Sequence, residues 1–280
     1  MKDKKLENFE IDIFLEAIFQ RYGYDFRDYA RASLKRRIEN RLTLSGLKHV
    51  SEMIPKILYE KRFFEEFLND MSITVTGMFR NPAVFKAIRE QVIPKLSTYS
   101  RINIWHVGCA TGEEVYSMAI LLEEEGLLDK TRIYATDYNN RSLEQAKKGI
   151  YPADMMKQYT ENYLQSGGRN SFSDYYWANY DSVKIKESFK DKITFAHHNL
   201  MQDRAFAEMH LIMCRNVLIY FDKPLQNKVL KLLRDSLIHR GFLVLGDKES
   251  ISFTDVCDDF TESDGRLRIY RKNVPYEIQL

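Results

Sequence analysis

The pattern of apolar and polar positions changes character near residue 70, and that change divides the chain. Over residues 8–70, apolar side chains such as Phe14, Leu15, Ile18 and Phe19 recur at the spacing of one helical face, which predicts an all-helical segment. Breaks at residues 23–28 and at Ser45-Gly46 divide it into about three helices, the last expected over 51–68 with Pro55 in its first turn. Beyond Asp70, short apolar runs alternate with amphipathic stretches, as in a parallel sheet covered by helices. The runs predict strands at 102–107, 132–136, 193–196, 211–214 and 242–245, and helices at 113–125, 141–148 and 224–239. Between 151 and 192 the helical period is lost. That stretch is rich in tyrosine around Gly167-Gly168, and the alternation Val183-Lys184-Ile185-Lys186 predicts a small antiparallel sheet. The expected division is a helical domain over 1–70 and an α/β domain over 71–280, with a β-subdomain inserted at about 151–192.

Composition narrows the class without naming a function. The 280 residues are 44% hydrophobic and 29% charged, the balance of an ordinary folded chain rather than a disordered one. Lysine and arginine number 42 against 40 acids, a net charge of +2, so no global field argues for nucleic acid. Cys109, Cys214 and Cys257 are far apart, odd in number and without a C-x-x-C spacing, so neither a disulfide framework nor a zinc site is expected, and a reducing, cytoplasmic setting is the simplest reading. His197 and His198 would face opposite sides of a strand and are expected to be structural. The charged N-terminus and the lack of a long apolar run argue against a signal peptide or a spanning helix.

Local charge adds one feature. Residues 31–48 hold six basic side chains, among them Arg36, Arg37 and Arg41, against Glu39 alone. Such a face is either a solvated surface or a dock for an acidic partner.

Chemistry concentrates where the strand at 102–107 runs into Gly108-Cys-Ala-Thr-Gly112 and then directly into a helix. At the first strand-to-helix turn of a doubly wound sheet, small residues let a ligand approach the backbone and helix-terminal N–H groups. The next strand ends at Asp137, placed to accept hydrogen bonds from ribose hydroxyls. No G-x-G-x-x-G follows the first strand, and Glu113-Glu114 would repel a pyrophosphate, so NAD and FAD are disfavoured. S-adenosylmethionine, which carries no phosphate, suits the acidic turn.

These residues, with Leu34-Lys-Arg-Arg-Ile38, Thr76-Gly-Met-Phe-Arg80, Ala135-Thr-Asp137, Asn199-Leu200 and Cys214-Arg-Asn-Val-Leu-Ile-Tyr-Phe-Asp222, resemble the CheR family of chemotaxis-receptor methyltransferases over about residues 10–272. The resemblance implies a Rossmann-like, S-adenosylmethionine-dependent methyltransferase domain with an N-terminal all-helical domain and a small β-subdomain insertion. It implies methyl transfer to receptor glutamates, giving γ-methyl esters and S-adenosylhomocysteine. Residue by residue, it makes Arg80 and Tyr220 catalytic, and Thr74, Thr76, Arg80, Glu113, Asp137, Asn199, Leu200, Arg215 and Asn216 cofactor contacts. Joined to the basic face of residues 31–48, this makes Arg36, Arg37 and Arg41 the expected docking residues for cytoplasmic helical domains of chemoreceptors, while charge, hydropathy and Cys/His spacing give no nucleic-acid partner, no membrane insertion and no metal. Lys248-Glu249-Ser250 matches a family stretch that closes the pocket. The chain departs from the family at Gly77-Met78, where Met78 stands in place of an aromatic residue.

An arginine at position 80 suits the task, because its planar fork can hold a carboxylate through two bonds and aim one oxygen at a methyl group. A glutamate is already ionised at neutral pH, so no general base is needed. Two other readings stay open: a nucleic-acid methyltransferase, opposed by Cys214-Arg-Asn-Val217 where an Asn/Asp-Pro-Pro-aromatic run is usual, and a cofactor-binding regulator without turnover, opposed by the presence of Arg80 and Tyr220.

Overall fold

The apolar stripe of the N-terminal region packs as its spacing predicts. In the computed structural model, which describes residues 4–72, 76–201, 203 and 205–274, helix α1 (Lys4–Tyr22) buries Ile11, Phe14, Leu15 and Ile18 on one face. Helix α2 (Arg31–Leu44) buries Leu34, Ile38 and Leu42 together with two arginines. The single helix expected over 51–68 is instead two, α3 (Met53–Tyr59) and α4 (Lys61–Met71). The break falls at Glu60, which is extended (φ −112°, ψ 95°) and caps both helices, its N–H closing on the Lys56 carbonyl. Phe63, Phe64, Phe67 and Met71 face inward from α4, and the rings of Phe14 and Phe67 meet edge to face at 5.1 Å.

By its contacts the chain forms two compact units, Met1–Ile73 with Ile219–Lys228, and Thr74–Leu218 with Val229–Leu280. The smaller unit thus recruits a distant piece of sequence. Ala30 N–H donates to the Tyr220 carbonyl at 2.9 Å, Asp222 N–H donates to the Asp28 carbonyl at 2.9 Å, and Tyr29 packs on Phe221.

The larger unit is built on a seven-stranded sheet among the described residues: β1 (Ile102–Val107), β2 (Thr131–Asp137), β6 (Ile193–His197), β7 (Met209–Cys214), β8 (Leu237–Leu245), β9 (Phe260–Asp264) and β10 (Ile269–Lys272). Its order is β6-β2-β1-β7-β8-β10-β9, with β10 antiparallel to both neighbours and the other pairs parallel. The central strands β1 and β7 are buried along most of their length because helices cover the sheet. Helix α7 (Glu113–Glu124) follows β1, and α8 (Asn140–Lys148) follows β2, capped by the Asn139 side chain. Connections leave β1 toward β2 and β6, and later toward β7 and β8, so a topological switch point lies at the carboxyl ends of β1 and β7.

Two sequence expectations need correction. Helix α10 (Lys223–Ser236) stops before residue 239, and β8 already begins at Leu237, where Arg240 takes a left-handed conformation (φ 63°) beside Gly241. The insert also contains a helix, α9 (Met156–Gln165), beside its three-stranded sheet of β3 (Ile150–Pro152), β5 (Ser182–Ile185) and β4 (Tyr176–Asn179). Between α5 (Pro82–Ala87) and α6 (Ile93–Leu96) the helix widens into a π turn over Ile88–Val92, which accommodates Pro94 and its missing N–H. The insert is tied to α7 through Glu124, whose side chain is 1% exposed. Glu124 accepts from Arg89 at 2.6 Å, from the Tyr163 and Tyr175 hydroxyls at 2.5 and 3.1 Å, and from Arg169 N–H at 2.9 Å. No helix among the described residues is long and apolar enough to cross a membrane.

Candidate active site

The turn after β1 is shaped by backbone geometry that only small residues adopt readily. Gly108 (φ 64°), Ala110 (φ 47°) and Gly112 (φ 91°) are all left-handed. A Cβ on Gly108 would lie 2.6 Å from Val217 Cγ2, and one on Gly112 would lie 2.9 Å from Ala146 Cβ, so neither position accepts a larger residue without movement.

Asp137 ends β2 beside this turn. Its two oxygens accept from Ala110 N–H and Asn139 N–H, each at 2.9 Å, which fixes the carboxylate and stitches the two strand ends together. Burial pushes its pKa up, against the pull of those N–H groups and that of Tyr138. Glu113 opens α7 and is buried; burial raises its pKa too, while Thr111 Oγ1 donates to it at 2.7 Å. The two carboxylates and the left-handed turn form an acidic, phosphate-repelling cradle, which fits a nucleoside carrying positive charge.

The remaining expected cofactor residues are placed as follows. Asn199 and Leu200 follow β6; Asn199 is buried, and its Oδ1 accepts from Met201 N–H at 3.1 Å, so this side chain also closes its own turn. Thr76 is half-buried, and Thr74 lies outside the described residues. Arg215 and Asn216 follow β7. Arg215 is buried, and both of its terminal nitrogens are engaged within the protein: Nη1 with Glu114 at 2.9 Å and the Arg80 carbonyl at 3.3 Å, Nη2 with Asn81 Oδ1 at 2.9 Å. Asn216 (φ 61°) sits in a turn held by Glu249, which accepts from the N–H groups of Asn216, Val217 and Gly246 at 2.9, 2.8 and 2.6 Å.

Arg80 is exposed, on a segment of unusual backbone. Phe79 (φ 52°) and Asn81 (φ 58°) flank it in left-handed conformations, each costing on the order of 1 kcal/mol for a residue with a Cβ. Phe79 N–H donates to Ser117 Oγ at 2.8 Å, Asn162 Nδ2 donates to the Met78 carbonyl at 3.1 Å, and the Phe79 ring packs on Phe85, Tyr163 and Phe172. Met78 is fully buried, so the departure from the family's aromatic is a packing position here.

Tyr220 belongs to the smaller unit and is half-buried. The Arg37 guanidinium stacks over its ring at 4.7 Å. This corrects the docking reading of the basic helix. Arg37 donates to the Met71 carbonyl and Arg41 pairs with Glu66 and Asp70, and both side chains are buried. Arg31 and Lys35 pair with Asp12 and Glu7 on α1. Of the three expected docking residues, Arg36 remains exposed. The positive run reflects inward-facing cations that join helices, because Arg37 and Arg41 lie one turn apart on the face that also carries Leu34 and Ile38.

Residues to which the sequence reading gave no role complete the arrangement: His106, Asn81 and Ser117, together with Glu114, read there only as an acid of the turn, and Glu249, from the stretch expected to close the pocket. A carboxylate next to Glu113 in sequence points about 100° away on a helix, and only the three-dimensional neighbours of Glu114 separate its role from that of Glu113. The buried thiols of Cys109 and Cys214 are pushed well up by burial, which suits packing and not nucleophilic chemistry.

Comparison with known proteins agrees with this geometry. The CheR methyltransferase SAM-binding domain matches residues 74–267, and the CheR methyltransferase all-alpha domain matches residues 10–72. A protein of Pseudomonas putida named as the methyltransferase Cher3 is 47% identical over 273 residues, 98% of this chain and all of that protein. Chemotaxis protein methyltransferases of Borreliella burgdorferi and Listeria innocua are 28% and 29% identical, each match covering 88% of the relative and 86% and 85% of this chain. With an acidic, glycine-shaped cradle at the switch point of its sheet and both family domains in order, the chain belongs to the CheR family of S-adenosylmethionine-dependent methyltransferases.

Proposed function

We propose that this protein methylates glutamate side chains on the cytoplasmic helical domains of chemoreceptors, forming γ-methyl esters and S-adenosylhomocysteine, and that it works in the cytoplasm. The observation that carries the reading is the braced Arg80 segment, an exposed arginine on a backbone clamped from Ser117, Asn162 and Arg215. The names of the relatives, chemotaxis protein methyltransferases, support the acceptor class.

S-adenosylmethionine supplies an electrophilic methyl group on a sulfonium. Asp137 accepts from the ribose hydroxyls, and Glu113 lines the turn that receives the cationic cofactor. Thr76, Asn199, Leu200 and Asn216 are the further cofactor contacts of this reading, and Thr74, outside the described residues, is the other expected one. Arg80 holds the incoming carboxylate through two N–H bonds and so sets one oxygen on the line of attack. Tyr220, on the smaller unit, is the other residue that this reading makes catalytic, through a hydroxyl able to donate a hydrogen bond to a carboxylate. No side chain removes a proton, because the acceptor arrives ionised. Arg36 meets the acidic surface of the receptor helix, an electrostatic contact that acts chiefly on encounter.

The test is incubation with a receptor cytoplasmic fragment and S-adenosylmethionine, followed by mass-spectrometric mapping of the modified peptides. Methyl groups on glutamate side chains are expected; methyl on nucleic acid alone, or on other side chains, overturns the proposal.

A further inference from the structure

We infer that Glu114 is a positioning residue for the reaction: anchored on His106, it holds Arg215, and Arg215 holds the Arg80 carbonyl and the adjoining Asn81 side chain. The inference rests on the reading of Arg80 given above and adds the device that presents it.

Three links make the chain. His106, on β1 and fully buried, bonds through Nδ1 to Glu114 Oε1 at 3.0 Å. Glu114 Oε2 accepts from Arg215 Nη1 at 2.9 Å. Arg215 then reaches the Arg80 carbonyl at 3.3 Å and Asn81 Oδ1 at 2.9 Å. Burial pushes the Glu114 carboxyl up, but the His106 bond and the Arg215 charge outweigh it and hold it below the ordinary range, so it is an acceptor toward both partners at neutral pH. Glu113 does not share this task, since it meets Thr111 on the side of the glycine turn.

The segment needs such a clamp. Phe79 and Asn81 are both left-handed, and a backbone of that kind relaxes unless its surroundings over-determine it. Arg215 is the cationic clamp among the contacts described for residues 78–81, and its side chain is only 3% exposed. Without Glu114 that charge sits buried and uncompensated, which drives the guanidinium toward solvent and releases Asn81.

The experiment compares wild type, Glu114→Gln, Asn81→Gly and Asn81→Asp. Gly keeps the left-handed backbone of residue 81 while removing the acceptor, Asp keeps an acceptor, and position 81 is exposed, so these two variants stay folded even if Glu114→Gln does not. Two readouts are taken: hydrogen exchange of the Phe79 and Arg80 amides, and kcat alongside the dissociation constant for S-adenosylhomocysteine. Exchange is expected to quicken about tenfold in Glu114→Gln and Asn81→Gly. For Asn81→Gly, kcat is expected to fall by about tenfold to a hundredfold with cofactor affinity within about threefold of wild type, and Asn81→Asp is expected to restore both readouts. Unchanged exchange in Asn81→Gly, or a fall in cofactor affinity that accounts for the whole loss of activity, overturns the positioning role. Absence of glutamate methylation by the wild type would instead count against the proposed reaction, while exchange still decides whether the clamp exists.

Discussion

In the proposed reaction Arg80 acts through the fork of its side chain, which a charge alone does not replace. Arg80→Lys is expected to lower kcat by about tenfold to a hundredfold with little change in cofactor affinity, because an ammonium cannot hold a carboxylate through two parallel bonds. A kinetic comparison with receptor fragment checks this; a variant with normal kcat contradicts it. Asp137 makes a prediction with a sign. Its carboxyl is raised by burial, so on acidification it takes up a proton above the usual value of about 3.9, and ribose hydroxyls then lose their acceptor. Affinity for S-adenosylhomocysteine should therefore fall at a higher pH than an ordinary aspartate would give, and Asp137→Asn should bind about tenfold or more weakly with a flat profile. Titration calorimetry across pH measures both. The place of Asp137 beside the glycine turn was legible in the sequence, because an apolar run marks the second strand and the carboxylate ends it. Glu114 was not, since its partner Arg215 lies 101 residues away.

At the scale of elements, pattern predicted the central strands closely and their ends less well. The five apolar runs all became strands of the main sheet, whereas β9 and β10 went unmarked: Phe260–Asp264 is mostly polar and lies at the sheet edge, where burial does not impose an apolar pattern. The kink at Glu60 carries neither glycine nor proline, so no local signal marks it, and Phe63, Phe64 and Phe67 are buried just beyond it. Glu124 is the test of how the insert is held. Burial raises its carboxyl, but bonds from Tyr163, Arg169 and Arg89 prevail and depress it. A depressed carboxyl contributes stability that is complete above the unfolded value of about 4.3 and disappears as pH falls through the folded value. Glu124→Gln should cost about 3 kcal/mol at neutral pH, since Arg89 is left buried with less charge to meet it, and should blunt the acid-dependent loss. Thermal melts from neutral to acidic pH check both; an unchanged midpoint contradicts the account.

For the whole molecule, charge at the level of composition was uninformative and charge at the level of one helix was misleading. The basic run of α2 is largely spent within the helical unit, with Arg37 stacked on Tyr220 and Arg41 paired with Glu66 and Asp70. In the proposed function, docking by that helix accordingly reduces to the exposed Arg36. Arg36→Glu should raise KM for receptor several-fold at low salt, leave cofactor affinity unchanged, and lose its effect as salt screens the contact; an unchanged KM at low salt assigns docking to another surface. The insertion of Ile219–Lys228 into the smaller unit was invisible in the sequence for a related reason, since backbone bonds such as that from Ala30 to Tyr220 join residues with no shared pattern.

The most direct test is transfer of labelled methyl from S-adenosylmethionine to nuclease-treated receptor membranes, followed by mild alkali and capture of volatile methanol. A carboxyl methyltransferase predicts alkali-labile methanol with the wild type and almost none with Arg80→Ala; label that resists alkali would contradict a glutamate ester as the product.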